Sequence, residues 1–181
     1  MRHPGAIRVT VLLAIGSASI SALGAEGVVP DYFGSKHAKV VAAWLGHHPR
    51  YRVASDIDCG CAEDIERERT VSAGVWKANP KYHPYYAAGD FNSDGVPDIA
   101  VGVIDASAPG MFRVAIFNGP FSKTPRPKAA FLSAPLRLGQ GMFFGAPRPK
   151  PHMLVVGVFE SEGMVLRPTP KGYVFEADEG D

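Results

Sequence analysis

The chain has 181 residues, with 19 Lys and Arg against 18 Asp and Glu, a formal charge of +1. So even a balance gives no electrostatic footprint for nucleic acid and no reason to bind anionic membranes. Sixteen Pro and 20 Gly favour many turns over long helices.

The N-terminus reads as a secretory signal. Arg2, His3 and Arg8 make a short positive start, Val9 to Ile15 an apolar run, and Gly16 to Ala25 a small-residue tail. Ala22-Leu23-Gly24 fits the small-x-small cleavage site. The run falls short of the roughly 20 residues a bilayer span needs. Residues 1–24 are therefore expected to be removed, giving a periplasmic or secreted chain with no membrane attachment; an uncleaved anchor is the other reading. Losing Arg2 and Arg8 leaves 17 basic against 18 acidic side chains, a formal charge of −1. Residues 25–181 are expected to form a single domain, long enough to bury a core without staples.

Asp31 to Leu45 predicts a helix. Val40, Val41, Trp44 and Leu45 make its apolar stripe, Asp31 or Ser35 can cap it, and Gly46 followed by Pro49 stops it. His47 and His48 suit the negative end of its dipole. Tyr51 to Val53 suggests a short extended piece. Cys61 to Arg69 predicts a second helix with Asp58 as N-cap, Glu63 and Asp64 in its first turn, and Arg67 and Arg69 in its last.

From Val71 onward short β-type runs separated by Gly and Pro take over. The clearest are Asp98 to Ile104, Met111 to Asn118, His152 to Phe159, Gly163 to Leu166 and Tyr173 to Glu176; Val71 to Lys77, Tyr85 to Ala88, Ala129 to Leu132 and Met142 to Phe144 are weaker. Ile99, Val101 and Val103 share one face, and Ala100 and Gly102 on the other leave room for close packing. The expected fold is α+β: a mainly antiparallel, curved sheet with the two N-terminal helices on one face. Two basic, Pro-rich stretches, Ser122 to Lys128 and Gly145 to Pro151, read as stiff connections or as polyproline segments offered to a partner.

The two cysteines, Cys59 and Cys61, flank a single Gly60. Outside the cytoplasm they can oxidise. A bond over one residue closes a small, strained ring that is easily reduced and a poor structural support. Free thiols and a soft-metal site are the other readings, although two sulfurs are not four ligands.

Asp90-Phe91-Asn92-Ser93-Asp94-Gly95-Val96-Pro97-Asp98 is the sharpest signal in the chain. Ca²⁺ takes six to eight hard oxygens at about 2.3–2.6 Å. Asp90, Asn92 and Asp94, at alternate positions, aim three side-chain oxygens at one centre; Gly95 permits the bend, Val96 offers a carbonyl and Asp98 closes the set. Three carboxylates crowded into nine residues repel one another unless a cation offsets them. An EF-hand is excluded, because its twelfth position, Val101, lacks the required Glu and Ile99 to Ile104 alternate as a strand. The loop therefore joins strands. An ordinary Asp/Asn/Gly turn is the bland reading.

Ala87 to Gly102, AAGDFNSDGVPDIAVG, resembles the calcium-loop core of FG-GAP (VCBS-type, integrin-like) repeats, and Met111 to Phe121, MFRVAIFNGPF, is similar to the strand and turn that follow it there. The resemblance covers about Ala87 to Phe121. It implies a calcium loop in a β-hairpin, with ligands at Asp90, Asn92, Asp94 and Asp98 and a backbone ligand at Val96. The chain departs from the family in carrying one such loop, where a propeller needs several blades. Val103 and Ile104 stand where the family has Ala-Pro, and Phe144-Gly145-Ala146-Pro147 lies too far downstream to be its name motif. One repeat-like hairpin embedded in a different small domain is expected, not a full β-propeller, and the adhesion roles of propellers do not carry over.

Trp76 to Tyr86 is rich in aromatics and runs into the loop; these rings either stack on a sugar or peptide or seal the core. The expected function is a non-catalytic, calcium-binding exported module that meets a polysaccharide or envelope protein. The alternatives are a metal-dependent hydrolase using Asp90, Asp94 and Asp98 with His83 as base, and an inhibitor or envelope interaction partner acting through its Pro-rich loops.

Overall fold

The computed structural model describes residues 28–72, 77–121, 125–143, 154–159 and 163–177. The expected leader, Trp76 and the second Pro-rich stretch lie outside them. Asp31–Phe33 forms a 3₁₀ turn that runs directly into α1, Gly34–Gly46. Neither Asp31 nor Ser35 caps this helix. Its N-cap is Phe33, already in a helical conformation, whereas a side-chain cap needs an extended residue at that place. At the other end the His48 Nδ1–H donates to the Trp44 carbonyl at 2.7 Å, satisfying one of the last-turn acceptors.

After β1, Tyr51–Val53, the expected second helix is present, but a short helix that was not expected comes before it. Asp56–Cys59 forms the short α2, Gly60 turns with φ 66°, and Ala62–Thr70 forms α3 with Cys61 at its N-cap. Asp58 therefore belongs to α2, where it reaches back to the Ser55 N–H at 2.8 Å and receives Arg52 at 2.6 and 2.9 Å. Cys59 and Cys61 are joined by a disulfide. Among the described residues no helix is long and apolar enough to cross a membrane.

Two antiparallel sheets follow. The first centres on β3, Asp98–Asp105, and β4, Met111–Phe117, paired from Ile99 opposite Phe117 to Ile104 opposite Phe112. On the free edge of β3, β1 and β2 (Tyr86–Gly89) lie end to end. On the free edge of β4, β5 (Phe131–Leu132) and β6 (Leu136–Arg137) do the same. The second sheet is a meander of β7, Gln140–Phe143, β8, Leu154–Val158, β9, Gly163–Thr169, and β10, Gly172–Ala177.

Every residue of β3 is buried, so the strand needs a covering layer on each side. Ile99, Val101, Val103, Ala115 and Phe117 pack on Val41, Trp44 and Leu45 of α1. Ala100, Ile104, Phe112, Val114 and Ile116 pack on Met142, Leu154, Val156 and Leu166 of the second sheet. Tyr85 occupies the space left by Gly102, whose missing Cβ would lie 2.7 Å from the Tyr85 Cβ. Truncating a core ring such as Phe112 to Ala costs about 3–5 kcal/mol. The molecule is an α+β protein of mainly antiparallel sheet, layered helix, sheet, sheet. The expectation of one curved sheet with both helices on one face is corrected here. Ile65, the buried residue of α3, joins the cluster between the sheets, while α1 covers the opposite face.

Candidate metal centre in the β2–β3 connection

Gly89 ends β2 opposite Asp98 at the start of β3, and residues 90 to 97 turn the chain between them. The loop thus joins strands, as the alternation after it implies. The Asp90 carboxylate turns inward and accepts the N–H groups of Asp94 and Gly95 at 3.1 and 2.8 Å. Asn92 Oδ1 accepts the Asp94 N–H at 3.0 Å, while its amide nitrogen donates to Asp94 Oδ2 at 2.9 Å. Val96 enters through its N–H, which donates to Asp94 Oδ1 at 2.8 Å. These are the local bonds by which Asp and Asn build turns in place of regular structure. Gly95, at φ 83°, takes a conformation that a Cβ resists.

Asp98 is different, being fully buried. Its Oδ2 accepts the Phe91 N–H at 3.0 Å and its Oδ1 the Gly119 N–H at 2.9 Å. One carboxylate therefore ties the base of the loop to the turn after β4. Gly119 has to be glycine, since a Cβ there would fall on the Pro97 carbonyl and the Val96 side chain. Next to it, Asn118 Oδ1 accepts the Tyr173 hydroxyl of β10 at 2.7 Å, so the second sheet touches the same turn. Phe91 is buried in the cluster between the sheets.

The electrostatics follow from this placement. Burial holds the Asp98 carboxyl above the usual carboxylate range; the Gly119 and Phe91 amides act against that, and the charges of Asp94 and Asp90 add to it. Burial and then the Asp98 charge push the Tyr173 hydroxyl up, although the Asn118 hydrogen bond opposes them. Among the described residues no Lys, Arg or His forms an ion pair with Asp90, Asp94 or Asp98. The donor set is all hard oxygen, and an oxygen that accepts one N–H keeps further acceptor capacity. Among the described residues no three His, Cys, Asp or Glu already stand as a metal cage. The carboxylates face the loop's own amides, and for a cation Asp94 Oδ2 would have to exchange the Asn92 N–H for the ion.

His83 is not at this loop. It lies before β2, at the end away from Gly89, and four extended residues at about 3.3 Å each separate the two ends. There its Nδ1 sits 3.0 Å from Asp56 Oδ1 and 3.2 Å from Arg69 Nη2, with the ring stacked on Tyr32. The base required by the hydrolase reading is thus held elsewhere. The tyrosines of the aromatic stretch face inward. Tyr82 and Tyr85 are buried, and Tyr86 is half-buried with its hydroxyl 2.6 Å from His37 Nδ1. On the α1 side, a cleft of about 300 Å³ lies beside the Gly119 turn, lined by Val40, Phe117, Asn118, Phe121, Arg126 and Lys128 among others. Pro125, next to the lining Arg126, is fastened to the end of α1, where the His47 Nε2–H donates to the Pro125 carbonyl at 3.2 Å.

The sequence reading missed Asn118, Gly119 and Tyr173. Asn118-Gly119-Pro120 signals a turn, but no local pattern says which loop that turn will meet. The fold and site together define an α+β protein with a carboxylate-rich hairpin loop. Compared with models of known protein families, with curated proteins and with solved structures, the chain matches none.

Proposed function

We propose that this protein is an exported calcium-binding module, periplasmic or secreted, in which Ca²⁺ has a structural role. Asp90, Asn92, Asp94, the Val96 carbonyl and Asp98 hold the ion, and water completes the six to eight oxygens it takes. The observation that carries this reading is a group of three carboxylates within nine residues, one of them fully buried, with no cationic side chain paired to any of them among the described residues. Burial is the main cause that raises Asp98, and a divalent ion offsets the Asp94 and Asp90 charges that add to it. Through Asp98 and Gly119 the ion steadies both the hairpin and the turn that walls the cleft. That cleft, with its Arg126 and Lys128 rim, is where an acid-bearing polysaccharide or envelope protein would dock.

The test is calcium titration by calorimetry, with thermal melts in calcium and in chelator. A dissociation constant of about 10⁻⁴–10⁻³ M is expected, the range of extracellular modules. At calcium tenfold above that constant, mass action adds about 1.4 kcal/mol. Equilibrium dialysis that finds no calcium on the folded protein would end this proposal.

A further inference from the structure

We propose that the Cys59–Cys61 disulfide is a thiol–disulfide exchange site, entered at Cys61, whose substrates are peptide thiols. Four observations carry it. The bond closes a loop of three residues, which in the chain-entropy picture restrains the unfolded chain roughly half as much as a fifteen-residue loop would. The helices it joins have another tie, since Asp56 of α2 receives Arg69 of α3 at 2.6 Å and both meet His83. Opening the bond therefore leaves α2 and α3 in place. The two cysteines also differ in exposure: Cys59 is 6% exposed within the cluster between the sheets, while Cys61 packs against the edge of that cluster and is only partly buried. Finally, the residue between the two cysteines is open to solvent, since Gly60 is exposed and an added Cβ there would meet nothing within 4 Å.

Access fixes the order of events. A substrate thiolate attacks Cys61 Sγ, the Cys59–Cys61 bond breaks, and its electron pair goes to Cys59 Sγ, which takes a proton from water. Cys61 then carries the substrate in a mixed disulfide. A second substrate thiolate attacks the substrate sulfur of that bond, and Cys61 leaves as thiolate. Two thiols have become one disulfide, and Cys59 and Cys61 have become a dithiol. Reoxidation needs a disulfide oxidant of the glutathione-disulfide class. Cys61 sits at the N-cap of the nine-residue α3, whose dipole favours thiolate there, while Glu63 and Asp64 in the first turn oppose it.

The experiment exposes the oxidised full-length protein to reduced glutathione without denaturant, quenches with acid and maps the adducts by mass spectrometry. The expected result is opening of the bond in the native protein, glutathione on Cys61, and unchanged near-UV circular dichroism. The single variants sharpen it. In Cys59→Ser the remaining Cys61 should react with glutathione disulfide at least ~10-fold faster than the Cys59 left in Cys61→Ser, because thiol exchange follows access. A bond that opens only in denaturant, or glutathione found on Cys59, overturns the proposal. Should either variant fail to fold, the adduct position in the wild-type protein still decides.

Discussion

Asp56 and Asp58 lie in α2, each against an arginine, at 2.6 Å from Arg69 and 2.6 Å from Arg52. Asp90, Asp94 and Asp98 lie in the β2–β3 connection, each against backbone amides. The electrostatic outcomes run in opposite directions. The Arg52 guanidinium is the largest cause holding Asp58 down to about 2, while burial and the neighbouring carboxylates hold Asp98 up. The chain answers its first acidic cluster with its own cations. In the second, among the described residues, it supplies N–H dipoles alone, which orient carboxylates without cancelling their charge. That difference is the physical basis for expecting an external cation at the second cluster and none at the first.

The contrast is broken most directly at Asp98. Asp98→Ala strands the Phe91 and Gly119 N–H groups at a buried position, and unpaired buried donors cost about 1–3 kcal/mol each. A loss of about 2–4 kcal/mol in urea unfolding is expected, in chelator as well as in calcium. Asp98→Asn retains one acceptor oxygen and should lose less stability while abolishing calcium affinity. If Asp98→Ala proves no worse than Asp58→Ala, the buried carboxylate is not the anchor described here. Asp94→Ala comes next in size. Asp94 is exposed, so its removal should change stability in chelator by no more than about 0.5 kcal/mol. It should erase the increment of about 1.4 kcal/mol expected from calcium at tenfold excess in the native protein. An Asp94→Ala protein that keeps its calcium-dependent melting shift would remove the loop from the argument.

What the sequence made legible was local. The Asp90 to Asp98 loop could be read because its oxygens and its glycine recur at fixed spacing, and β3 could be read from the alternation of Ile99, Val101 and Val103. The small face at Gly102 correctly signalled close packing, now seen as Tyr85. Where two local solutions compete, the reading failed. Asp58 resembles an N-cap for the helix after it, and only the break at Gly60 decides that it serves α2. Contacts between distant segments were invisible. His83 is 27 residues from Asp56, and Asn118 is 55 from Tyr173, and nothing near any of these four announces its partner. The division into two sheets was missed for the same reason. Apolar residues on both faces of β3 demand two covering layers, but do not say that one layer is a second sheet.

The smallest effect tests the charge argument most cleanly. The Asp58 carboxyl is depressed to about 2 from an ordinary 3.8, so its contribution is complete above about pH 4 and fades as pH falls toward 2. A shift of that size corresponds to roughly 2 kcal/mol by linkage. Arg52 is 52% exposed, however, against 17% for Asp58, and solvent screening reduces the figure to about 1 kcal/mol or less. Melts of the native protein and Asp58→Asn from pH 6 to pH 2 should therefore show a gap above pH 4 that closes near pH 2, and that narrows in high salt. A gap that stays constant across this range would mean that Asp58 acts through the shape of the Ser55 turn and not through its charge. The arginine-paired acids would then no longer serve as the electrostatic counterpart of the Asp90 to Asp98 loop.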